Sequence, residues 1–426
     1  MRMRTVFNSL SLFLLTISLH AQTGWMSLPT APTSARIDDI FFVNTDTGVA
    51  VTAEGRIYKT ENAGDNWSLK FSSGYNYMRS TEFLNDSVGF AGTLYGNLYK
   101  TVDGGDTWTD ISSLLNPNVT GICGLNAVSD SVIYGVGIWS EPAFVIKSTN
   151  SGQTWSYTNM SSLAHGLVDV YFFSPDTGFV TGIGLNDRAI ILYTDNGGAT
   201  WQTKYSGNDF STYAWKIQFL NRRDAVVCIA STNASTASEM LMSADSGMTW
   251  QLKTVSPAYN ELEGIGFMNQ AHGWVGGYFN GMYETVDSGA TWNLISAGYD
   301  LNRYFKINDT LLYACGHSVY KFIDTATTIP TFVTEPFVPI HTLDVVYPNP
   351  ASDEITISYT LHNNTMVDLS MYDGIGRRVI RIVHQHQDGG KYSLQQKINS
   401  LSAGKYFITL NTNEGAVVSD FVRIER

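Results

Sequence analysis

The chain has 426 residues, a formal net charge of −12 and only 15% charged residues. That balance excludes a nucleic-acid binder, which needs a basic face, and adsorption to anionic lipid. With 38 glycines and 13% aromatic residues, the composition points to an all-β protein with short strands and many turns.

In chain order, the first element is an export signal over residues 1–21. Arg2 and Arg4 precede an apolar run from Leu10 to Leu19, and Ala21 is a small residue at the expected cleavage point. This run is too short to span a bilayer comfortably, and no later stretch is longer. The expected mature chain starts near Gln22 and has no transmembrane segment.

Next come six copies of one eight-residue box, each ending on tryptophan: Thr60–Trp67, Thr101–Trp108, Ser148–Trp155, Thr194–Trp201, Ser243–Trp250 and Thr285–Trp292. The tryptophans are 41, 47, 46, 49 and 42 residues apart, the period of a propeller blade. In each box the third residue (Asn62, Asp103, Asn150, Asn196, Asp245, Asp287) can accept backbone N–H groups across a tight turn. The fifth (Gly64, Gly105, Gly152, Gly198, Gly247, Gly289) supplies a positive φ, and Trp67, Trp108, Trp155, Trp201, Trp250 and Trp292 bury large rings between sheets. The repetition argues for a structural role, because a catalytic site needs different groups converging on one point.

A second marker, an apolar residue followed by a polar turn and a Gly-rich strand, recurs at Phe42, Phe83, Leu125, Phe173, Phe219, Phe267 and Ile307. Seven markers against six boxes leave one blade incomplete. Gln22-Thr23-Gly24-Trp25 resembles the tail of a box, so the N-terminal strand is expected to complete blade 7 and leave no free sheet edge. Cys123, Cys228 and Cys315 make no disulfide framework and read as buried core residues. No Cys/His set has metal-ligand spacing, and neither metal nor cofactor is expected.

The boxes resemble the Asp-box (BNR) repeats of sialidases and other secreted propellers. With the marker and the lead-ins Tyr58-Lys59-Thr60 and Tyr99-Lys100-Thr101, residues 22–325 resemble more closely the photosystem II assembly factor type of propeller. The resemblance implies the fold and leaves function open.

From Leu343 the pattern changes. Tyr347-Pro348-Asn349-Pro350, the run through Asp373-Gly374-Ile375-Gly376 and the segment Gly404-Lys405-Tyr406 resemble the type A C-terminal sorting domain of type IX secretion, found in Bacteroidota. Its alternating strands suggest a small Ig-like β-sandwich over 343–426. The resemblance implies Sec export, passage through the outer membrane on the type IX machinery, and removal of the domain. Release or attachment to surface lipopolysaccharide would follow. Residues 326–342 read as a Thr/Pro-rich linker where cleavage is tolerated, and Asp324-Thr325-Ala326 resembles a short O-glycosylation signal.

Counting four residues back from each marker gives Asp38, Arg79, Gly121, Asp169, Trp215, Glu263 and Arg303, a charged ring expected at the channel mouth. Counting two back gives Ile40, Thr81, Cys123, Tyr171, Ile217, Ile265 and Phe305, expected in the core. Tyr75, Tyr77, Phe210, Tyr213, Tyr259, Tyr299 and Tyr304 stand in the loops that feed the ring. Asp38, Arg79, Asp169, Trp215, Glu263 and Arg303 are therefore the candidate ligand-binding residues. The competing reading, ordinary ion pairs between neighbouring blades, is the simpler one.

A sialidase-like site needs three arginines, and the ring supplies Arg79 and Arg303; Arg36-Ile37-Asp38 lacks the expected proline. No catalytic residue is assigned, although a carboxylate pair from Asp38, Asp169 and Glu263 leaves a glycan hydrolase as the alternative. The expectation is a non-catalytic module for a protein or glycan ligand. A structural surface-layer component is a third reading.

Overall fold

The computed structural model describes residues 24–32, 36–324, 341–344, 346–373, 378–412 and 415–424. The export signal, most of the linker and Gly376 lie outside these residues. Seven four-stranded antiparallel sheets follow one another around a central channel. Blade 1 consists of Ile37–Phe42, Gly48–Thr52, Arg56–Thr60 and Ser68–Ser72, in that order from the channel outwards. The inner strands of blades 2 to 7 are Met78–Phe83, Gly124–Ala127, Ala164–Phe172, Thr212–Phe219, Leu262–Phe267 and Arg303–Asn308. The one helical element among the described residues is a 3-10 turn at Ser112–Leu114.

Blade 7 is closed by the N-terminus. Gly24–Ser27 pairs antiparallel with Val319–Ile323, placing Trp25 opposite Phe322. Trp25 also meets Trp274 of blade 6 edge-on at 5.3 Å, so the closing strand is packed as well as hydrogen-bonded. Closure removes the exposed edges that an open ring of sheets would present.

Each box forms the same turn between the third and fourth strands of its blade. The Thr101 hydroxyl accepts from Gly105 N at 2.9 Å, and Asp103 accepts from Thr107 N at 2.9 Å. The other five boxes repeat both bonds within 2.8–3.0 Å. Gly152 has φ 75°, and a Cβ there would fall 2.4 Å from the Phe90 ring, so both backbone and packing require glycine. Four of the tryptophans pack edge-on to an inner-strand phenylalanine, Trp67 to Phe42, Trp108 to Phe83, Trp201 to Phe172 and Trp292 to Phe267, at 6.1–6.3 Å. Cys123, Cys228 and Cys315 are free and buried.

The inner strands share one irregularity. In blades 1, 2, 4, 5 and 6 the ladder skips a residue between the first and second strands: Asp38, Arg79, Val168, Trp215 and Glu263. Such a β-bulge leaves one residue unpaired and re-aims its side chain. The position thus carries a polar or aromatic group in four of these five blades.

The C-terminal part is two sheets. Thr342–Leu343, Glu354–Leu361 and Gly390–Lys397 form one; Arg378–Gln387, Thr365–Asp373, Gly404–Thr412 and Gly415–Arg423 form the other. Ile355, Ile357, Tyr359, Leu369, Met371, Ile408 and Phe421 fill the core between them. The Asn349 side chain ties the first segment to the last strand, accepting from Val422 N at 2.9 Å and donating to Asp420 O at 3.2 Å. Tyr347 bridges to Thr356 beside Pro348 and Pro350. Asp373 pairs with Tyr406, whose ring stacks on Phe421 at 5.7 Å and whose hydroxyl donates to Ser402 O.

Candidate functional site

Neighbouring inner strands radiate from the channel and cannot share a sheet ladder, so side chains bridge them. Asp39 accepts from Thr81 N, Glu82 from Ala127 N, Asn126 from Phe172 N, Asp169 from Ile217 N and Gln218 from Phe267 N, all at 2.7–3.2 Å. Asn302, just before the blade 7 inner strand, links blade 7 to blade 1 by donating to Asp38 O at 2.6 Å. Each bond satisfies a backbone group of the neighbouring blade.

Two charged layers plug the channel. In the first, reached from the loops that join successive blades, the Arg79 guanidinium donates to Asp38 and Arg36 donates to Glu263. Arg36 Nε also lies 3.6 Å from Asp38 and 3.5 Å from Asp300. Burial disfavours the charge on Arg36, but Glu263 and Asp38 outweigh it and hold the guanidinium above its ordinary range. Asp300 moves the other way: burial, then Glu263 and Asp38, push its carboxyl up to about 6 against the pull of Arg36.

The second layer is one residue deeper. Arg303 donates to Asp39 at 2.7 Å and stands 3.9 Å from Asp169, which Lys216 approaches at 3.6 Å. This corrects the counting from the sequence. The marker of blade 4 is Phe172, which pairs with Gly178 as Phe42 pairs with Gly48, not Phe173. Asp169 is accordingly one register below Asp38, Arg79, Trp215 and Glu263, and Arg303 shares its layer because the blade 7 ladder skips Ile307, the residue from which it was counted. The constant six-residue step from Phe to Gly would have exposed the slip.

Of the feeding aromatics, Tyr75 is 94% exposed, while Phe210 and Tyr299 are also open to solvent. Tyr304 is a correction: it is buried, and its ring packs at 6.0 Å from Trp25 in the core between blades 6 and 7. Tyr259 donates to Ser231 O.

Above the first layer is a cavity of about 400 Å³ walled by Trp139, Tyr213, Trp215 and Tyr278 and floored by Arg36, Arg79 and Glu263, with Tyr77, Leu94 and Glu261 beside them. Trp139 stacks on Trp215 at 6.1 Å with planes 28° apart, and Tyr213 meets Trp215 edge-on at 5.8 Å. Arg36 lies under the Tyr278 ring at 4.4 Å and donates to its hydroxyl at 2.9 Å. Trp139 and Tyr278 occupy loops between second and third strands, and Arg36 precedes the first inner strand. All three fell outside the aligned positions.

Below the second layer the other mouth holds about 270 Å³ lined by Glu82, Asn126, Asp169, Lys216, Gln218 and Arg303. Burial pushes the Glu82 carboxyl up to about 8. A groove of about 460 Å³ on the box face is larger, but its Asp224 and Asp245 carboxylates already accept bonds from Asn221, Gln270 and Thr249. Among the described residues no group of three or more His, Cys, Asp or Glu could hold a metal ion, and no helix is long and apolar enough to cross a membrane.

Comparison with known proteins assigns the C-terminal part. The family model of the secretion system C-terminal sorting domain matches residues 345–425. Among curated proteins none matches this sequence. The chain is similar in structure to YCF48 bound to D1 peptide, with 13% identity, 72% of this chain and 98% of that one covered, and a TM-score of 0.55. It is likewise similar to YCF48 from Cyanidioschyzon merolae, at 17%, 70%, 98% and 0.56. PorZ, a surface component of the type IX secretion system of Porphyromonas gingivalis, is 13% identical with a TM-score of 0.50. The overlap is 92% of this chain but only 60% of PorZ. At these identities the likeness is one of fold. The chain is a seven-bladed β-propeller carrying a type IX secretion C-terminal sorting domain, which marks it for export to the cell surface or the medium.

Proposed function

We propose that the propeller is a non-catalytic binding module that takes a protein or glycan ligand on the face bearing the inter-blade loops. One observation carries this reading: the carboxylates of the candidate ring, Asp38, Asp169 and Glu263, are each held by a cation or a backbone N–H, while the aromatic rings above them are open. Asp38 and Glu263 are held by Arg79 and Arg36, and Asp169 by Ile217 N and Lys216. A glycosidase needs one carboxyl free to protonate a leaving group and another free to attack or to activate water. Trp139 and Tyr278, 37% and 53% exposed, instead offer the aromatic surface typical of binding hot spots. YCF48 was solved with a bound peptide, so the fold accommodates such a ligand.

Of the candidate ring, Arg79, Glu263 and the Asp38 beneath them then serve as the floor, Trp215 is part of the aromatic wall, and Asp169 and Arg303 brace the layer below. The sorting domain's partner on this reading is the type IX machinery. The test is a glycan and peptide array read with a parallel reducing-sugar release assay. Binding without release, abolished by Trp139→Ala in a protein of unchanged melting temperature, is the expected result. Sugar release that disappears in Asp300→Asn would establish the hydrolase instead.

A further inference from the structure

We propose that the upper cavity receives one basic side chain, a guanidinium or ammonium group presented on an extended segment of a partner protein. The inference rests on the binding-module reading and commits it to a ligand class.

The aromatic wall alone would suit either a pyranose ring or a cation, since both lie well against an aromatic face. Charge decides between them. The cavity lining sets Glu261 and Glu263 against Arg36 and Arg79, and just beneath it Asp38 and Asp300 also lean on those two guanidiniums, so four carboxylates share two cations. The deeper layer lends nothing, because Lys216 and Arg303 answer Asp169 and Asp39 there. Two negative charges are left over beneath aromatic faces in a cavity lined mainly by low-dielectric groups, where charge is least tolerated without a partner.

Glu261 is where that surplus reaches the ligand. It lies at the start of the blade 6 inner strand, half-buried in the cavity wall, and its backbone carbonyl accepts from Tyr278 N at 3.0 Å. Burial, then the Glu263 carboxylate, push its own carboxyl upward, and Arg36 only partly opposes them. Asp300, raised for the same reasons, stands behind the wall. An incoming cation would relieve both. Its flat face or ammonium head would lie against Trp139, whose partner Trp215 already carries Arg79 at 5.5 Å from its ring. An anionic ligand meets the surplus with the wrong sign. A neutral sugar leaves it uncompensated.

The experiment titrates the full exported chain with the capped pentapeptide Gly-Gly-Arg-Gly-Gly and with versions carrying Lys, citrulline or Glu at the centre, read by calorimetry. Citrulline keeps the shape of arginine and removes its charge. The Arg and Lys peptides should bind, and the citrulline and Glu peptides should not. Glu261→Gln and Trp139→Ala should each weaken the Arg peptide about tenfold or more. Tyr278→Leu, which removes the ring over Arg36 and the hydroxyl it donates to, should weaken the Arg peptide as well. Equal binding of the Arg and citrulline peptides, or a Glu261→Gln protein with unchanged affinity, overturns the proposal. A neutral oligosaccharide that binds in a Trp139-dependent way while no peptide does overturns it too, yet leaves the binding-module reading standing. Silence toward every probe overturns the cation site, and a blank array as well would remove the module reading with it.

Discussion

On the box face one turn is written six times. Asp103 accepts from Thr107 as Asp245 does from Thr249 and Asp287 from Thr291, and Asn62, Asn150 and Asn196 do the same work with an amide oxygen. On the loop face no contact repeats: Trp139 comes from blade 3, Tyr213 and Trp215 from blade 5, Glu261 and Tyr278 from blade 6, and Arg36 precedes blade 1. Repetition is what a scaffold needs, since each blade faces the same problem of ending a hairpin. Convergence of unlike groups is what recognition needs, and only the closed ring brings these residues together.

The comparison breaks most sharply at the channel plug, which belongs to neither face and should dominate stability. Arg79→Ala leaves Asp38 buried without its main partner, and removing one member of a buried pair costs about 3–5 kcal/mol. Calorimetric melting should show the loss, and replacing both residues with apolar ones of similar volume should recover much of it.

Glu82 gives the next effect, with its sign reversed from the usual carboxylate. Its folded carboxyl titrates at about 8, above the ordinary value of 4.5. Between those values the folded state holds a proton that the unfolded state has lost, so its contribution to stability falls as pH rises through that window. Glu82→Gln can still accept from Ala127 N and should flatten this dependence, raising the melting temperature at pH 8 by a few degrees, on the order of 1 kcal/mol.

A single box should matter less. Asp103→Ala removes two acceptor contacts to Thr107 and should cost about 1 kcal/mol. Asp103→Asn, which copies the neighbouring boxes, should stay within about 0.5 kcal/mol at neutral pH. The hydrogen bonds from Thr107 depress the Asp103 carboxyl to about 2 from 3.8. Its contribution is therefore complete above about 3.8 and is lost as pH falls towards 2, and the Asn variant should lack that acid sensitivity. Smallest of all, Trp139→Ala should leave stability within about 0.5 kcal/mol because the ring is a third exposed.

How much of this was legible in the sequence follows from the same contrast. The boxes were readable because Thr/Ser, Asp/Asn, Gly and Trp recur at fixed spacing, and even the closure showed in the fragment ending at Trp25. The bulges were not, since Asp38, Arg79, Val168, Trp215 and Glu263 share no residue type and differ from their neighbours only in pairing. Asp169 fell into the wrong layer because it was counted from Phe173 and not Phe172, and Arg303 because it was counted from Ile307, which the blade 7 ladder skips. Trp139 and Tyr278 stayed hidden because loops between second and third strands vary in length and align with nothing. Tyr304 looked like a loop aromatic because it follows Tyr299 closely, yet the strand begins at Arg303 and turns the ring inward.

The central claim is that the loop face recognises and the box face supports. It is tested most directly by one peptide and glycan array probed with three forms of the full chain: unmodified, Trp139→Ala/Tyr278→Leu on the loop face, and Val102→Ser/Val286→Ser on the box face, where both valines are exposed. Signals lost in the first double variant and kept in the second are the predicted result. Signals that survive the loop-face change, or vanish with the box-face change, would contradict it.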